Sequence, residues 1–392
     1  MKLLKNTKTG LFILFLLLSG LSLRAQTTDT TFHLITCAPG IETYSVYGHS
    51  ALLIVYNKTD SVYNWGVFNF DVPNFAWNFA KGRLSYWLGS EPFSKFLQSY
   101  FYEERYVISQ KINLEADEKK MIMDLIHVNL LPENDNYRYD FFYDDCSTRI
   151  RDLLEKAIGK DLIYPPEDTN DRPTFREMTG KYQKVYPWLQ FGIDLIMGSP
   201  GDLEADFRER MFLPIDMMNG LSAATINRNG RQIPLLQSSV AVLDFPPIII
   251  KQNFYTSPFF VFSILLVIVI FLSLHMKNRA YNNMMDFMLF FIFTILAILM
   301  IFFNFFTDHQ QMKWNYLIVG FNPFLLMCLV SILFNREGKI WFRIVFYITA
   351  AFLLGSMFLP QSFNVAIYPL VLIILARSSA RSRFEWNPMT MK

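Results

Sequence analysis

Five apolar runs dominate the second part of the chain: Ser257–Met276, Met285–Phe303, Trp314–Phe334, Trp341–Leu359 and Gln361–Ala376. Each is long enough, or nearly so, to cross about 30 Å of hydrocarbon as a helix. The pattern therefore predicts a bundle of about five membrane-spanning helices after residue 250. Asn322-Pro323 interrupts the third run with a helix breaker and a polar side chain at membrane depth, which is costly there. A shorter apolar run, Leu11–Leu18, follows Lys2, Lys5 and Lys8 and precedes Leu23-Arg24-Ala25-Gln26. That is the layout of a secretory signal peptide, with cleavage expected after Ala25.

Between these regions the pattern is that of a globular domain. Ala51–Tyr56 and Val62–Phe68 read as strands of a hairpin joined by the polar Asn57–Ser61. Ser90 is expected to cap a short helix through Phe101, and Arg105–Leu114 alternates like a strand. From Ala116 to Leu131 a helix is predicted with Met121, Leu125, Val128 and Leu131 on its apolar face, stopped by Pro132. The aromatic run Tyr137–Tyr143 reads as a strand that delivers the chain to Cys146, where an amphipathic helix begins. That helix is expected to bury Ile150, Leu153, Leu154 and Ala157 and to end at Gly159. Thr174–Leu221 is less regular, Ala223–Leu236 predicts a hairpin turning at Asn229-Gly230, and Pro246-Pro247 closes the segment. The expected organisation is a signal peptide over residues 1–25, an exported α+β domain of antiparallel strands and helices over 26–250, and an all-α transmembrane domain over 251–392.

Composition supports this division. Of 392 residues 52% are hydrophobic and 17% aromatic, too apolar for an ordinary soluble enzyme of that length. The net charge of +2 and the lack of a dense Lys/Arg block argue against a nucleic-acid partner. Lys277 and Arg279, then Arg336, Lys339 and Arg343, then Arg377, Arg381 and Arg383 all fall on one side of a five-span arrangement, which marks that side as cytoplasmic and puts the first domain outside. The three cysteines, Cys37, Cys146 and Cys328, form no disulfide framework and show no zinc-type spacing, so neither a metal nor a cofactor is expected.

Candidate chemistry centres on Cys146 and His49. A helix N-terminus favours the thiolate, the nucleophilic form of cysteine. Asp144 and Asp145 oppose ionisation unless an imidazolium or the helix end offsets them, and a lone cysteine is often a core residue. A Cys37–Cys146 disulfide would also remove the free thiol. His49, in Tyr47-Gly48-His49-Ser50 at the mouth of the first hairpin strand, is the candidate base. Asn64 on the partner strand could orient the imidazole, as could a backbone carbonyl. Arg105 and Arg149 could contact a phosphate or carboxylate, or form salt bridges with acids such as Glu104 and Asp152. His309, in the outward loop Asp308–Lys313, reads either as a lipid or substrate contact or as part of an ordinary wet loop. A thiolate and an imidazole on an exported domain imply acyl transfer or amide hydrolysis through a thioester.

Thr36-Cys37-Ala38-Pro39-Gly40, Tyr47-Gly48-His49-Ser50-Ala51-Leu52, Tyr63-Asn64-Trp65-Gly66-Val67-Phe68 and Asp145-Cys146-Ser147-Thr148-Arg149-Ile150-Arg151, in this order, resemble the Lnb N-terminal periplasmic domain family of Bacteroidota. Met211-Phe212-Leu213-Pro214 and the multi-span tail fit the same resemblance. It implies a lipoprotein N-acyltransferase of the inner membrane that moves an acyl chain from a phospholipid donor to the α-amine of a diacylglyceryl-cysteine lipoprotein. The order His then Cys is also similar to permuted papain-like folds of the NlpC/P60 kind, where an Asn precedes the Cys; here Asp145 stands at that place. Cys146 and His49 are then the implied catalytic pair, with Asn64, Asp145, Arg105, Arg149, Tyr47 and His309 in support. The alternatives are a membrane-anchored cysteine amidase or peptidase acting on cell-wall peptides, and a non-catalytic periplasmic binding protein.

Overall fold

The computed structural model describes residues 30–382 except 58, 168, 170, 171, 276, 277, 335 and 337. The expected signal segment, Lys277 and Arg383 lie outside the described residues. In the first region the chain forms β1 (Thr31–Cys37), β2 (His49–Tyr56), β3 (Thr59–Val67), α1 (Phe75–Ala80), β4 (Ser85–Glu91), α2 (Phe93–Tyr102), β5 (Val107–Lys111), α3 (Ala116–Asn129), β6 (Asn136–Arg138) and α4 (Cys146–Ile158). There follow β7 (Leu162–Ile163), α5 (Phe175–Gln183), α6 (Pro187–Ile196), α7 (Pro214–Ala223), β8 (Thr225–Arg228), β9 (Arg231–Pro234) and β10 (Val240–Leu243). The main sheet is antiparallel with seven strands in the order β10-β5-β1-β2-β3-β4-β6, and β7-β8-β9 make a smaller one. This is the α+β architecture the strand and helix periods predict.

The unbroken apolar run of β2 has a tertiary cause. Leu52 and Ile54 face a core completed by Ile122 and Ile126 of α3 and Ile150 and Leu154 of α4, whereas Ala51 and Leu53 face Phe96 and Tyr100 of α2. Both faces of the strand are therefore covered, and no polar position alternates along it.

Four local expectations are corrected. Ser90 lies inside β4 and caps nothing; Pro92 occupies the N-cap of α2, and Asp60 Oδ1 accepts the Phe93 N–H at 3.0 Å. In α3 the buried positions are Ile122 and Ile126 rather than Met121 and Val128, which are exposed. Two i,i+4 apolar stripes lie side by side on this helix, and packing against α4 selects one. Tyr137–Tyr143 is not one strand: after β6, Asp140 and Asp144 exchange backbone hydrogen bonds across a turn, and Asp140 Oδ1 accepts the N–H groups of Phe142 and Tyr143. Thr174–Leu221, expected to be irregular, holds α5, α6 and most of α7; Thr174 caps α5 with a reciprocal bond to Glu177.

The second region holds α8 (Pro258–His275), α9 (Arg279–Phe305), α10 (Leu317–Gly320), α11 (Leu325–Leu333), α12 (Lys339–Gly355) and α13 (Ile367–Ser382). Three helical stretches, Pro258–His275, Arg279–Phe305 and Lys339–Phe358, are long and apolar enough to cross a membrane. The third expected span is broken between α10 and α11 at Asn322-Pro323, as the sequence foretells. The fifth starts later than expected, at Ile367, and runs through Arg377 and Arg381 instead of ending before them. Those two arginines are not loop charges. Arg377 Nε and Arg381 Nε each donate to Asp286 of α9 at 2.5 Å, and Asp286 is fully buried. A guanidinium can enter a helix bundle when a carboxylate there satisfies it.

Candidate active site

The site forms where β2 begins and α4 begins. Gly48 makes the approach: its φ of +84° is open to glycine, and a Cβ there would lie 2.6 Å from the Cys37 carbonyl oxygen. His49 then opens β2 opposite Cys37 in the register with β1. On the other side Asp145 has extended backbone, and its Oδ1 accepts the N–H groups of Ser147 at 2.9 Å and Thr148 at 2.8 Å. Thr148 Oγ1 accepts the Asp145 N–H at 2.7 Å, which completes a capping box. Asp145 therefore caps the helix start, and it also lines the cavity beside His49, where its charge opposes the lowering of the His49 pKa. The Ser50 and Ser147 hydroxyls are 3.1 Å apart and join strand to helix directly behind His49 and Cys146.

His49 Nε2 lies 3.2 Å from Asn64 Oδ1. An amide oxygen only accepts, so Nε2 carries the hydrogen and Nδ1 is left with the lone pair a base needs. Asn64 is buried on β3, so this bond fixes the ring orientation. Burial lowers the His49 pKa and outweighs the opposing Asn64 bond, and the Arg105 charge lowers it further. Burial likewise raises the Cys146 pKa, although the Ser50 main-chain N–H, the Ser147 hydroxyl and the N–H groups at the helix start pull it down. Desolvation thus outweighs the helix end, contrary to the expectation of a depressed thiol pKa. The resting pair is a neutral thiol and a neutral imidazole. For Asp145, burial and then the Cys146 sulfur push the carboxyl well above the usual carboxylate range, against the pull of its capping bonds.

Cys146 and His49 share the wall of a cavity of about 520 Å³. Its lining is mostly aromatic and includes Phe68, Phe70, Phe75, Phe79, Tyr86 and Tyr139. Arg105 and Tyr47 also line it. Arg105 is buried, donates twice to the Ala38 carbonyl oxygen at 2.7 and 2.5 Å, and pairs with Glu103 at 2.7 Å, rather than with the expected Glu104. Tyr47 accepts from Gln183 Nε2 at 2.5 Å and packs against Phe141 with ring centres 4.8 Å apart. Arg149 is not in this lining; it pairs with Asp144, its Nη2 donating to Asp144 Oδ2 at 2.7 Å, and covers the Tyr137 ring at 3.7 Å. His309 is outside the lining too, and its Nε2 sits 2.8 Å from the Phe79 carbonyl oxygen at the end of α1.

The sequence reading missed the aromatic wall. Phe68, Phe70, Phe75, Trp77 and Phe79 form a dense aromatic cluster that alternates like a strand although 75–79 lie on a helix, and that density was the available signal. The cluster reaches the membrane region: the Trp77 ring is 5.5 Å from Phe302 near the end of α9, and the Phe79 ring is 6.4 Å from His309. Arg83 and Arg138 both donate to Asp308 at 2.9 Å, and Gln311 Nε2 donates to Asp140 in the turn before Cys146. Cys37 and Cys146 are both free thiols, which removes the disulfide alternative.

No curated protein and no solved structure matches the chain. Family models match two regions: the Lnb N-terminal periplasmic domain over residues 23–174 and the Lnb transmembrane domain over residues 250–386. The first match contains His49, Asn64 and Cys146, and the second contains α8 to α13. The chain, a membrane protein with a periplasmic domain, belongs to the Lnb family.

Proposed function

We propose that the protein is a lipoprotein N-acyltransferase that works through a thioester on Cys146, with residues 26–250 as its catalytic domain and 251–392 as its transmembrane domain. The observation that carries this reading is the cavity: a strand-borne histidine and a helix-opening cysteine share an aromatic wall that continues to the end of a membrane helix. An acyl chain suits such a wall, whereas a cell-wall peptide would find few polar partners in it.

In the first half-reaction His49 takes the Cys146 proton and the sulfur attacks the carbonyl carbon of a phospholipid ester. The carbon–oxygen bond breaks, and the proton passes from His49 to the departing lyso-lipid oxygen. In the second, the α-amine of a diacylglyceryl-cysteine lipoprotein attacks the thioester, its proton moves to His49, and the thiol is released as the amide forms. The Ser147 and Thr148 N–H groups are taken by Asp145, so the Cys146 main-chain N–H is the helix-start donor for the oxyanion. Asn64 holds the imidazole, Asp145 holds the helix start, and Arg105 and Tyr47 shape the wall.

Topology supports an inner-membrane location with the C-terminus in the cytoplasm. The connections after α9 and after α12 touch the first region, as Asn315 Nδ2 donates to the Leu195 carbonyl at 2.8 Å and Asn364 Nδ2 to Asp194 at 2.9 Å. Arg279, Arg336, Lys339 and Arg343 lie at the opposite ends of the helices. The test is mass spectrometry of a lipoprotein N-terminal peptide from cells with the wild-type gene, with Cys146→Ala, and with no gene. Triacylation is expected only with wild type; triacylation restored by Cys146→Ala refutes the mechanism.

A further inference from the structure

Behind His49 lies a second pocket of about 240 Å³, of a different character from the aromatic cavity. Half of its lining is polar, with His49, Asn64, Glu91, Ser99, Glu103 and Arg105, and the other half is Tyr44, Trp65, Gly66, Val67, Phe96 and Tyr100. Tyr44, His49, Trp65, Gly66, Tyr100 and Arg105 belong to both linings, while Cys146 belongs only to the aromatic one and Glu91 and Glu103 only to the other. The imidazole thus stands at the partition, with the sulfur on one side and two carboxylates on the other.

The charges of this annex do not cancel within it. Arg105 is committed to the Ala38 carbonyl oxygen and to Glu103. Among the described residues Glu91 forms its ion pair with Lys95, at 3.6 Å, and that lysine is largely exposed and outside the lining. Two carboxylates therefore face one guanidinium, and both keep enough exposure to accept hydrogen bonds from a ligand, with side chains 43% exposed for Glu103 and 31% for Glu91. From these carboxylates a cation gains a charge-assisted hydrogen bond that an acyl chain does not.

We propose that this annex receives the α-ammonium end of the acceptor, so that the two substrates reach His49 from opposite sides. The inference rests on the acyltransferase reading and assigns a route to each half-reaction. The acyl chain stays in the aromatic cavity as the Cys146 thioester. The ammonium is drawn in by Glu91 and Glu103 and loses one proton to solvent in the annex, and the neutral amine attacks the carbonyl carbon; its second proton passes to Nδ1 of His49 and from there to the sulfur as the carbon–sulfur bond breaks. Placing the base between the pockets lets one imidazole serve both steps without the cation crossing the apolar wall, where burial of a charge is costly.

The experiment uses the full-length protein in phospholipid vesicles with a synthetic S-diacylglyceryl-cysteine peptide, comparing wild type with Glu91→Gln, Glu103→Gln and the double variant. Two readouts are taken: the acyl adduct on the Cys146 peptide without acceptor, and transfer to the peptide amine. The double variant is expected to form the adduct at the wild-type rate and to show an acceptor KM raised about tenfold. Added salt should raise the acceptor KM of wild type and leave that of the double variant nearly unchanged. An unchanged acceptor KM in the double variant overturns the annex assignment, as does adduct formation that falls in step with transfer in Glu91→Gln, whose ion pair with Lys95 is on the surface. A wild-type protein that forms no adduct from phospholipid overturns the acyl-transfer reading itself, an outcome distinct from the other two.

Discussion

At Cys146 two influences of opposite sign meet, and burial is the stronger. The helix end and the Ser50 N–H favour the thiolate, while loss of water disfavours it more. Because the pair rests neutral, the base must be deprotonated and the thiol need not be. His49 has its pKa lowered from 6.5, so the neutral imidazole persists to lower pH than usual. We therefore expect the acid limb of kcat/KM to fall below pH 6.5, and iodoacetamide labelling of Cys146 at pH 7 to be slower than that of free cysteine and to rise with pH; rapid labelling at pH 7 would instead indicate a thiolate–imidazolium pair. Asp145→Ala removes an N-cap and should destabilise α4 by about 0.5–2 kcal/mol, while Asp145→Asn, which can still accept the Ser147 and Thr148 N–H groups, should cost less by thermal denaturation. His49 and Cys146 could be placed from the sequence because each is a polar group opening an element, and Asn64 because it is a polar side chain on the strand paired with β2. The direction of Asp145 could not: a carboxylate there has a thiol, an imidazole and a helix start within reach, and backbone geometry decides among them.

Helix α1 carries Phe75, Trp77 and Phe79 in six residues, none of them buried. It lies between the aromatic cavity and α9, with Lys81 over the Trp77 ring at 4.7 Å. Aromatic rings of this kind settle at a membrane interface, and under the proposed acyl transfer α1 is where a lipid chain would enter. Trp77→Ala combined with Phe79→Ser should slow acyl-adduct formation from vesicle phospholipid by roughly tenfold, the equivalent of about 1.4 kcal/mol, and should leave adduct formation from a water-soluble short-chain ester largely intact. Equal losses with both donors would mean that α1 merely supports the fold. His309, which the sequence left between a lipid contact and a wet loop, holds this helix from outside through the Phe79 carbonyl. Element positions were legible wherever one period dominated, as in β2, β3 and α4. They failed at α3, where two apolar stripes compete, and at Tyr137–Tyr143, where aromatic residues serve a turn.

Across the whole molecule, two polar clusters set how the regions sit together. Arg176 donates to Asp194 and Asp202, and these aspartates in turn accept from Asn364 and the Ser362 N–H, which brings the α12–α13 connection against the periplasmic domain. Gly198 belongs to the same seam, since a Cβ there would fall 1.9 Å from the Lys313 carbonyl oxygen. At the far end of the bundle, Asp286 joins α9 to α13 through Arg377 and Arg381. Asp286→Asn leaves two guanidinium groups short of their counter-charge and should destabilise the protein by about 3–5 kcal/mol, seen as a lower unfolding temperature in detergent, whereas Asp286→Glu should recover part of the loss.

The order of a periplasmic α+β region and a helical membrane region follows from the sequence by itself, because the length of an apolar run and the period of a pattern are local properties. That His49 and Cys146 each open an element was also accessible, since both starts are marked locally. Tertiary structure alone decided which stripe of α3 is buried, that Asp145 caps α4, that Arg377 and Arg381 answer Asp286, and that scattered phenylalanines enclose one cavity. Each of these depends on a partner far away in the chain, and only folding determines which group that partner is.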